Sequence, residues 1–432
     1  MCDQLIKMKK ILEKNKYLFI IWATLAAFGA YFCTYAFRKP FSTGSFEGFY
    51  FLDMEFKTIA IIAQVIGYML SKFIGVKVIS ELKAGQRIAL IVGLVMVALF
   101  SLMLFAFVPA PYNALFMFLN GLPLGMVWGV IFSFLEGRRF TEFLGMGLSL
   151  NMIVTSGILK TCYLFFQNRF GFSDFEMPLV MGSIFFPLFL VFVGMLAVLP
   201  APSKAEKESK MARKAMNKRE KKYIWLNYFP GILMIILIYA FLTTLRDFRD
   251  NFAVEIWHNL GAGDDIGVYA STESLVGLVV IFIIGLLSLI KSNQKAFSAI
   301  KFTILFSLIF ILFFTQLFSQ GSITPVQWMI GEGIGFYLPY LLVQIAFFER
   351  MIPVLKLRGN AGYFVYLCDS IGYMGSVILL FFKEFFARER NYAVMLHDFS
   401  QMTAWVGIVF SLLMILFFRF RITAKKEVLE LV

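Results

Sequence analysis

A helix needs roughly 20 apolar residues to cross the hydrocarbon core of a bilayer, where every backbone amide must be satisfied within its own segment. This chain offers one such run after another, at approximately 17–37, 57–79, 87–108, 112–135, 143–166, 177–199, 223–245, 266–290, 297–319, 325–348, 360–382 and 400–420. A water-soluble fold has nowhere to put them. Hydrophobic residues make up 60% of the 432 and charged ones 16%, against about 45–50% and 25% in ordinary soluble domains. The first run follows a basic start, Lys7 to Lys16, as a signal peptide would. Its apolar stretch is long and further spans follow, so it reads as a helix that stays in the membrane. The expected fold class is an all-α polytopic membrane protein with twelve transmembrane helices.

The net charge of +13 does not signal nucleic acid, because the basic residues fall in short pieces between apolar runs. Placing the N-terminus inside, and counting each base near a span end with the loop it adjoins, puts 30 Lys/Arg inside and 9 outside, with Lys160 within a span. By the positive-inside rule both termini are cytoplasmic. Some affinity for anionic lipid follows from the same charges. The four cysteines are widely separated and only His258 and His397 are present, so no metal site, cofactor or disulfide framework is expected. No catalytic residue is expected either: there is no paired-Asp motif, His-rich cluster or P-loop.

The longest connection, Pro200 to Lys222, carries nine Lys/Arg and three Glu and reads as a basic cytoplasmic linker. It divides the chain into an N-terminal half, 1–199, and a C-terminal half, 223–432, of six spans each. The halves carry a sparse repeat. Tyr31, Tyr35 and Arg38 share one helix face, and 208 residues later stand Tyr239, Thr243 and Arg246. Glu136, Gly147 and Gly157 precede Glu349, Gly362 and Gly372 by 213, 215 and 215 residues. Offsets this steady argue for a duplicated six-helix unit, and two parallel halves with a substrate site between them are a known transporter architecture.

A charge at a helix centre costs roughly 2.5–3.5 kcal/mol on insertion scales, so such residues usually face a cavity or a partner. Here they are Lys160, Glu273, Glu332 and Asp369, joined by Arg38 and Lys39 closing the first span and Arg246 closing the seventh. Most have a plainer reading. Arg38 and Lys39 mark a helix end; Arg246 pairs with Asp250 one turn on; Lys160 snorkels toward Gln167 and Arg169; Glu332, between Gly331 and Gly333, hydrogen-bonds across a close helix contact. Asp369, halfway along its span, resists a plain account, and Glu273 in YASTES sits among small polar residues that imply a wet surface. Two arginines from symmetry-related helices would clamp an anion, since the planar guanidinium offers paired hydrogen bonds to phosphate or carboxylate. Small residues at i, i+4 and i+8, Gly121, Gly125 and Gly129, let helices approach closely, and Pro123 and Pro339 bend them.

The segment YFCTYAFRKPF (31–41) resembles the first-helix signature Tyr-x3-Tyr-x2-Arg-Lys of organophosphate:phosphate antiporters, a branch of the major facilitator superfamily. SKFIG (71–75), GMVWG…EGRR (125–139), LR (245–246), YASTESLVG (269–277) and GNAGYF…GYMGS (359–376) continue the likeness in family order. The chain is also similar to a bacterial group of that superfamily known only by a domain-of-unknown-function label. The resemblance implies two pseudo-symmetric six-helix halves, with Arg38 and Arg246 on the substrate phosphate and Lys39 and Glu273 near it. The chain departs from the pattern in GVKVISELKAGQR (75–87), which has no Asp-Arg pair, and in lacking paired prolines after Trp128.

Together these readings lead us to expect a secondary transporter of a small organic anion, by antiport or proton symport, acting as a monomer in a bacterial inner membrane. Arg38, Arg246 and Lys39 bind the anion, Tyr31, Tyr35 and Tyr239 line its path, and Glu273, Glu332, Asp369 and Lys160 couple or gate. The anion, the lipid bilayer and protons are the expected partners. The competing expectation is a transporter-like sensor that binds a ligand without moving it and signals through the linker.

Overall fold

The computed structural model describes residues 2–80, 82–135, 141–200, 218–357, 361–387 and 390–430. Most of the predicted linker, 201–217, and Glu136 of the predicted repeat lie outside the described residues. Contacts divide the chain into two units, Met1–Met211 and Ala212–Val432.

In the first unit α1 (Cys2–Lys14) precedes six helices, α2 (Lys16–Tyr35), α3 (Phe56–Ser80), α4 (Arg87–Phe107), α5 (Ala114–Leu135), α6 (Thr141–Phe170) and α7 (Met177–Ala197). The second unit holds α8 (Lys218–Asn251), the short α9 (Ala253–Asn259), α10 (Val268–Ser288), α11 (Asn293–Ser319), α12 (Pro325–Leu342), α13 (Phe348–Val354), α14 (Ala361–Phe386) and α15 (Tyr392–Glu430). A wide π turn, Val343–Phe347, joins α12 to α13. With α12 and α13 taken as one span, twelve helices are long and apolar enough to cross a membrane. The chain is a multi-pass membrane protein.

Helix pairing inside the units makes the repeat concrete. In the first unit the first helix packs on the fourth, fifth and sixth, the third on the fourth and sixth, and the second on the fourth. Counting α8 as the first and α15 as the sixth, the second unit shows the same six pairings. A sequence repeat carried by a few residues is thus a repeat of architecture.

Two local features position the far end of α2. Its last carbonyls are met by the amides of the following turn, Ala36 to Lys39, and side chains from neighbouring helices take carbonyls of that turn: Asn120 Nδ2 donates to Phe37 O (3.0 Å) and Gln64 Nε2 to Arg38 O (3.0 Å). Gln64 also donates to Asn120 Oδ1 at 2.9 Å. That places α3 and α5 in close contact, which glycine permits. A Cβ on Gly121 would lie 2.2 Å from the Gln64 carbonyl oxygen, and one on Gly67 2.3 Å from that of Phe118.

Beyond α2 the chain turns through Pro40–Thr43 to a two-residue hairpin, β1 (Tyr50–Phe51) and β2 (Met54–Glu55). Phe46 packs there among Phe56, Phe105 and Phe175. Asp174, between α6 and α7, ties the turn down. Its Oδ2 accepts from the Ser45 and Phe46 amides at 2.9 and 3.0 Å, and Oδ1 from Tyr163 and Gln167 at 3.1 and 2.6 Å. Partial burial works to raise its pKa, but the hydrogen bonds from Phe46, Gln167, Tyr163 and Ser45 outweigh it and hold the carboxyl below 3.8. A depressed carboxylate stabilises the fold above its unfolded value and loses that contribution as pH falls through its folded value. Asp174→Asn should therefore lower the melting temperature at neutral pH, and the gap from wild type should close as both are titrated below 3.8. A gap that stays constant with pH would show that the charge is not what holds the turn.

Candidate functional site

In the first unit the residues singled out from sequence gather at the far end of α2. Tyr31 and Tyr35 are buried and meet edge to face, ring centroids 5.1 Å apart. Arg38 is half-buried, with its guanidinium carbon 3.8 Å above the ring centre of Tyr68 on α3. Lys72, one turn along α3, brings its ammonium to 5.3 Å from the same ring. Two cations thus lie against one aromatic ring, and Lys39, next to Arg38 in sequence, is buried. Lys160 does not snorkel to the surface. It is 3% exposed, and Nζ donates to Ser156 Oγ at 2.7 Å, one turn earlier on α6.

In the second unit α8 continues as a helix to Asn251, six residues past the expected end of its span. The extension carries Arg246, Asp247, Arg249 and Asp250 on helical backbone. Arg246 donates from Nε and Nη2 to Asp247 Oδ1 at 3.0 and 2.7 Å, so its carboxylate partner is the next residue rather than Asp250. Asp247 Oδ2 accepts from Ser376 Oγ at 2.7 Å, and the Arg246 guanidinium lies 4.4 Å over the Tyr340 ring. Tyr340 stacks on Tyr239, whose hydroxyl donates to Asp369 Oδ1 at 2.5 Å. The mid-span acid that resisted a plain reading is thus tied to a tyrosine predicted to line the path.

Glu273 and Glu332 converge on a residue the sequence did not single out. Arg249 Nη2 donates to Glu273 Oε1 at 2.7 Å, and Nη1 lies 3.3 Å from Glu332 Oε2. Ser400 Oγ, from α15, donates to Glu332 Oε1 at 2.9 Å. The sequence reading placed Glu332 beside a close helix contact, and it is: Gly333 leaves room for Arg249, since a Cβ there would stand 2.5 Å from Nη1. Lys383 and Glu384 form a further ion pair at 2.9 Å, both side chains fully buried, also missed. The signal available for Arg249 was its position three residues after Arg246, on a helix that hydropathy ended too early.

Charge is sorted between the units. Among the described residues, the six spans of the first unit contain no Asp or Glu; every acid within a span, from Glu220 to Asp398, belongs to the second. The first unit buries Lys39, Lys57 and Lys160 and no acid among the described residues; Asp53, Glu55 and Asp174 lie in its connections. The second buries Arg246, Arg249, Lys301 and Lys383 together with Asp247, Glu332, Asp369 and Glu384. Among the described residues, the first unit thus buries bases alone, while the second buries bases and acids together.

Residues 40–421 match a family model described as a family of unknown function, DUF5690. No curated protein matches the chain. Among solved structures it is similar to the nucleoside transporter NupG, at 14% identity and a TM-score of 0.59 over 92% of this chain and 98% of that one. A D-xylose-proton symporter aligns at 12% identity and a TM-score of 0.61 over 92% and 97%. A POT family transporter in complex with 5-aminolevulinic acid aligns at 13% and 0.56 over 92% and 95%. At these identities the likeness is one of fold: the chain shares the helical fold of these membrane transporters.

Proposed function

The chain belongs to the DUF5690 family, and from its major facilitator fold we propose that it is a secondary active transporter of a small organic anion, phosphorylated or carboxylated, working by alternating access. The observation that carries this reading is the sorting of charge: the spans of the first unit present bases and no acids among the described residues. A cation in hydrocarbon is costly, and an anionic ligand drawn to a unit whose described spans carry bases but no acids offsets part of that cost. Arg38 is the principal contact, with Lys39 and Lys72 adding positive charge and Tyr31 and Tyr35 flanking it. Arg246 is the corresponding contact of the second unit, with Tyr239 beside it. There the anion competes with Asp247, which holds the arginine when no ligand is present.

Alternating access requires a ligand that binds one state more tightly than the other. An anion that displaces Asp247 from Arg246 does so only in the state where it reaches that arginine. The proteins similar in fold carry nucleosides, or xylose with a proton, by their names; the anionic substrate is inferred from this chain's own charges. The excess of Lys/Arg in the loops on the N-terminal side supports a bacterial inner-membrane orientation with both termini cytoplasmic.

Purified protein in liposomes tests the reading against radiolabelled inorganic phosphate, a panel of phosphomonoesters and a panel of dicarboxylates. Saturable uptake of at least one anion, above empty vesicles, is expected, with nucleosides and xylose excluded. Vesicles that take up no anion, or take up the neutral sugars instead, would overturn it. A thermal-shift screen against the same panels gives an independent readout, because a ligand that binds only the folded protein raises its melting temperature with occupancy.

A further inference from the structure

The chain turns from α14 back into α15, yet among the described residues these two helices barely touch; each packs instead on α8. Their divergence leaves a cavity of about 460 Å³ with α8 as its floor, within the roughly 300–1,000 Å³ of small-molecule sites. Phe241 of α8 and Phe399 of α15 meet along one wall, ring centroids 6.4 Å apart. At the deep end α14 closes on α8, where a Cβ on Gly375 would stand 2.6 Å from Thr244 Oγ1. That hydroxyl donates to Ala240 O at 2.8 Å, so it is satisfied within its own helix and the deep end favours an apolar occupant. Ile378, Phe382 and Met402 line the rim and are exposed, on helices that cross the membrane. The long side of the cavity therefore opens to hydrocarbon. From Gly375 to the end of α14 at Phe386 is eleven residues, roughly 16 Å at 1.5 Å per residue, and half a hydrocarbon core is about 15 Å. The cavity is as long as one leaflet is deep.

Charge among the described lining residues is confined to the mouth, where Arg390 and Asp398 stand. Arg390 Nη1 lies 3.4 Å from Asp398 Oδ2, with side chains 61% and 52% exposed, and His397 Nδ1 lies 3.2 Å from Asp398 Oδ1. A long contact between exposed partners holds them weakly, so each can be exchanged for a ligand charge of opposite sign. A base and an acid side by side match a headgroup that carries both signs. A phosphodiester takes Arg390, whose guanidinium offers paired donors, and an ammonium with N–H bonds takes Asp398. A quaternary ammonium has no hydrogen to donate, and a purely anionic headgroup leaves Asp398 facing like charge.

We propose that the cavity between α8, α14 and α15 is a binding site for phosphatidylethanolamine, with one acyl chain in the cavity, the phosphate at Arg390 and the ammonium at Asp398. The lipid fills the gap between two helices that diverge from their connection, and the mouth selects it by headgroup.

Phosphatidylethanolamine carrying a photoactivatable diazirine near the end of one acyl chain tests this on the intact protein in detergent micelles. Peptide mapping should place the label on α8, α14 and α15 around Phe241, Ile378 and Met402. Unlabelled phosphatidylethanolamine should compete roughly tenfold better than phosphatidylcholine or phosphatidylglycerol of the same chains, the worth of about one charge-assisted hydrogen bond. Ile378→Trp and Met402→Trp fill the cavity from different walls, and each should lose the label while melting temperature and monodispersity report that the fold is kept. Arg390→Gln should cut labelling about tenfold by the same arithmetic, and Asp398→Asn should erase the preference for ethanolamine over choline. Label spread evenly over the lipid-facing helices, equal competition by the three lipids, or full labelling of both folded tryptophan variants overturns the proposal. So does a cross-linked dimer in which a second copy covers Ile378 and Met402. No transported molecule is needed, so the outcome is independent of the transport reading.

Discussion

Arg38→Lys should reduce anion uptake in liposomes by roughly ten- to a hundredfold, and Arg38→Ala should abolish it. The lysine keeps the charge but loses the planar fork that hydrogen-bonds two oxygens at once. A hydrogen bond to a charged group contributes about 1.5–3 kcal/mol, and each 1.4 kcal/mol is about tenfold in affinity. The stacking of Arg38 on Tyr68 at 3.8 Å orients that fork, so Tyr68→Leu should weaken uptake less than Arg38→Lys does, whereas Tyr68→Phe preserves it. Arg246→Lys should have the smaller effect of the two arginine changes. Its guanidinium is already engaged by Asp247, and the anion gains only the difference between the two partners. Size-exclusion profiles and melting temperatures separate a lost contact from a lost fold. Wild-type rates in Arg38→Lys for every transported anion would remove the basis of the proposed site.

The second large effect is on folding. Gly121→Ala puts a methyl 2.2 Å from the backbone carbonyl oxygen of Gln64, and a backbone atom in a packed seam cannot swing aside as a side chain can. Overpacking of this sort costs about 1–3 kcal/mol. Gly121→Leu should go further and prevent the first unit from closing, leaving aggregated rather than monodisperse protein. The matched control is Gly93→Ala in α4, where nothing lies within 4 Å of the added Cβ; removing a helical glycine there is expected to stabilise by about 0.5–1 kcal/mol. Melting temperatures in detergent should move in opposite directions for the two alanines. Should both rise, the α3–α5 contact is looser than the carbonyl distance implies.

The twelve spans were legible because burial in a bilayer demands length and hydrophobicity, and both are properties of a single segment. What escaped is non-local. Hydropathy closed the seventh span at residue 245 because Arg246 and Asp247 are charged, yet α8 runs on to Asn251 with those charges satisfied by partners rather than by water. The partners of Arg249 lie 24 residues away at Glu273 and 83 away at Glu332, and no helical periodicity links them. Lys160 illustrates the reverse case. Its neighbours Gln167 and Arg169 drew attention toward the surface, while the partner in the structure is Ser156, one helical turn in the other direction. Gln64 and Asn120 read as ordinary polar residues, and only their meeting over the turn after α2 reveals them as what holds Arg38 in place.

The sorting of acids has an implication for how such a protein changes over time. Duplication yields two copies of one scaffold, and the six shared helix pairings show that both kept it. With the carboxylates of the described spans all in one copy, mutations in the other alter which molecule is recognised without disturbing those acids. Specificity and energetics then drift independently. A laboratory selection for a new substrate should accordingly collect its changes around Arg38 and Tyr68, leaving Arg249, Glu273 and Glu332 untouched.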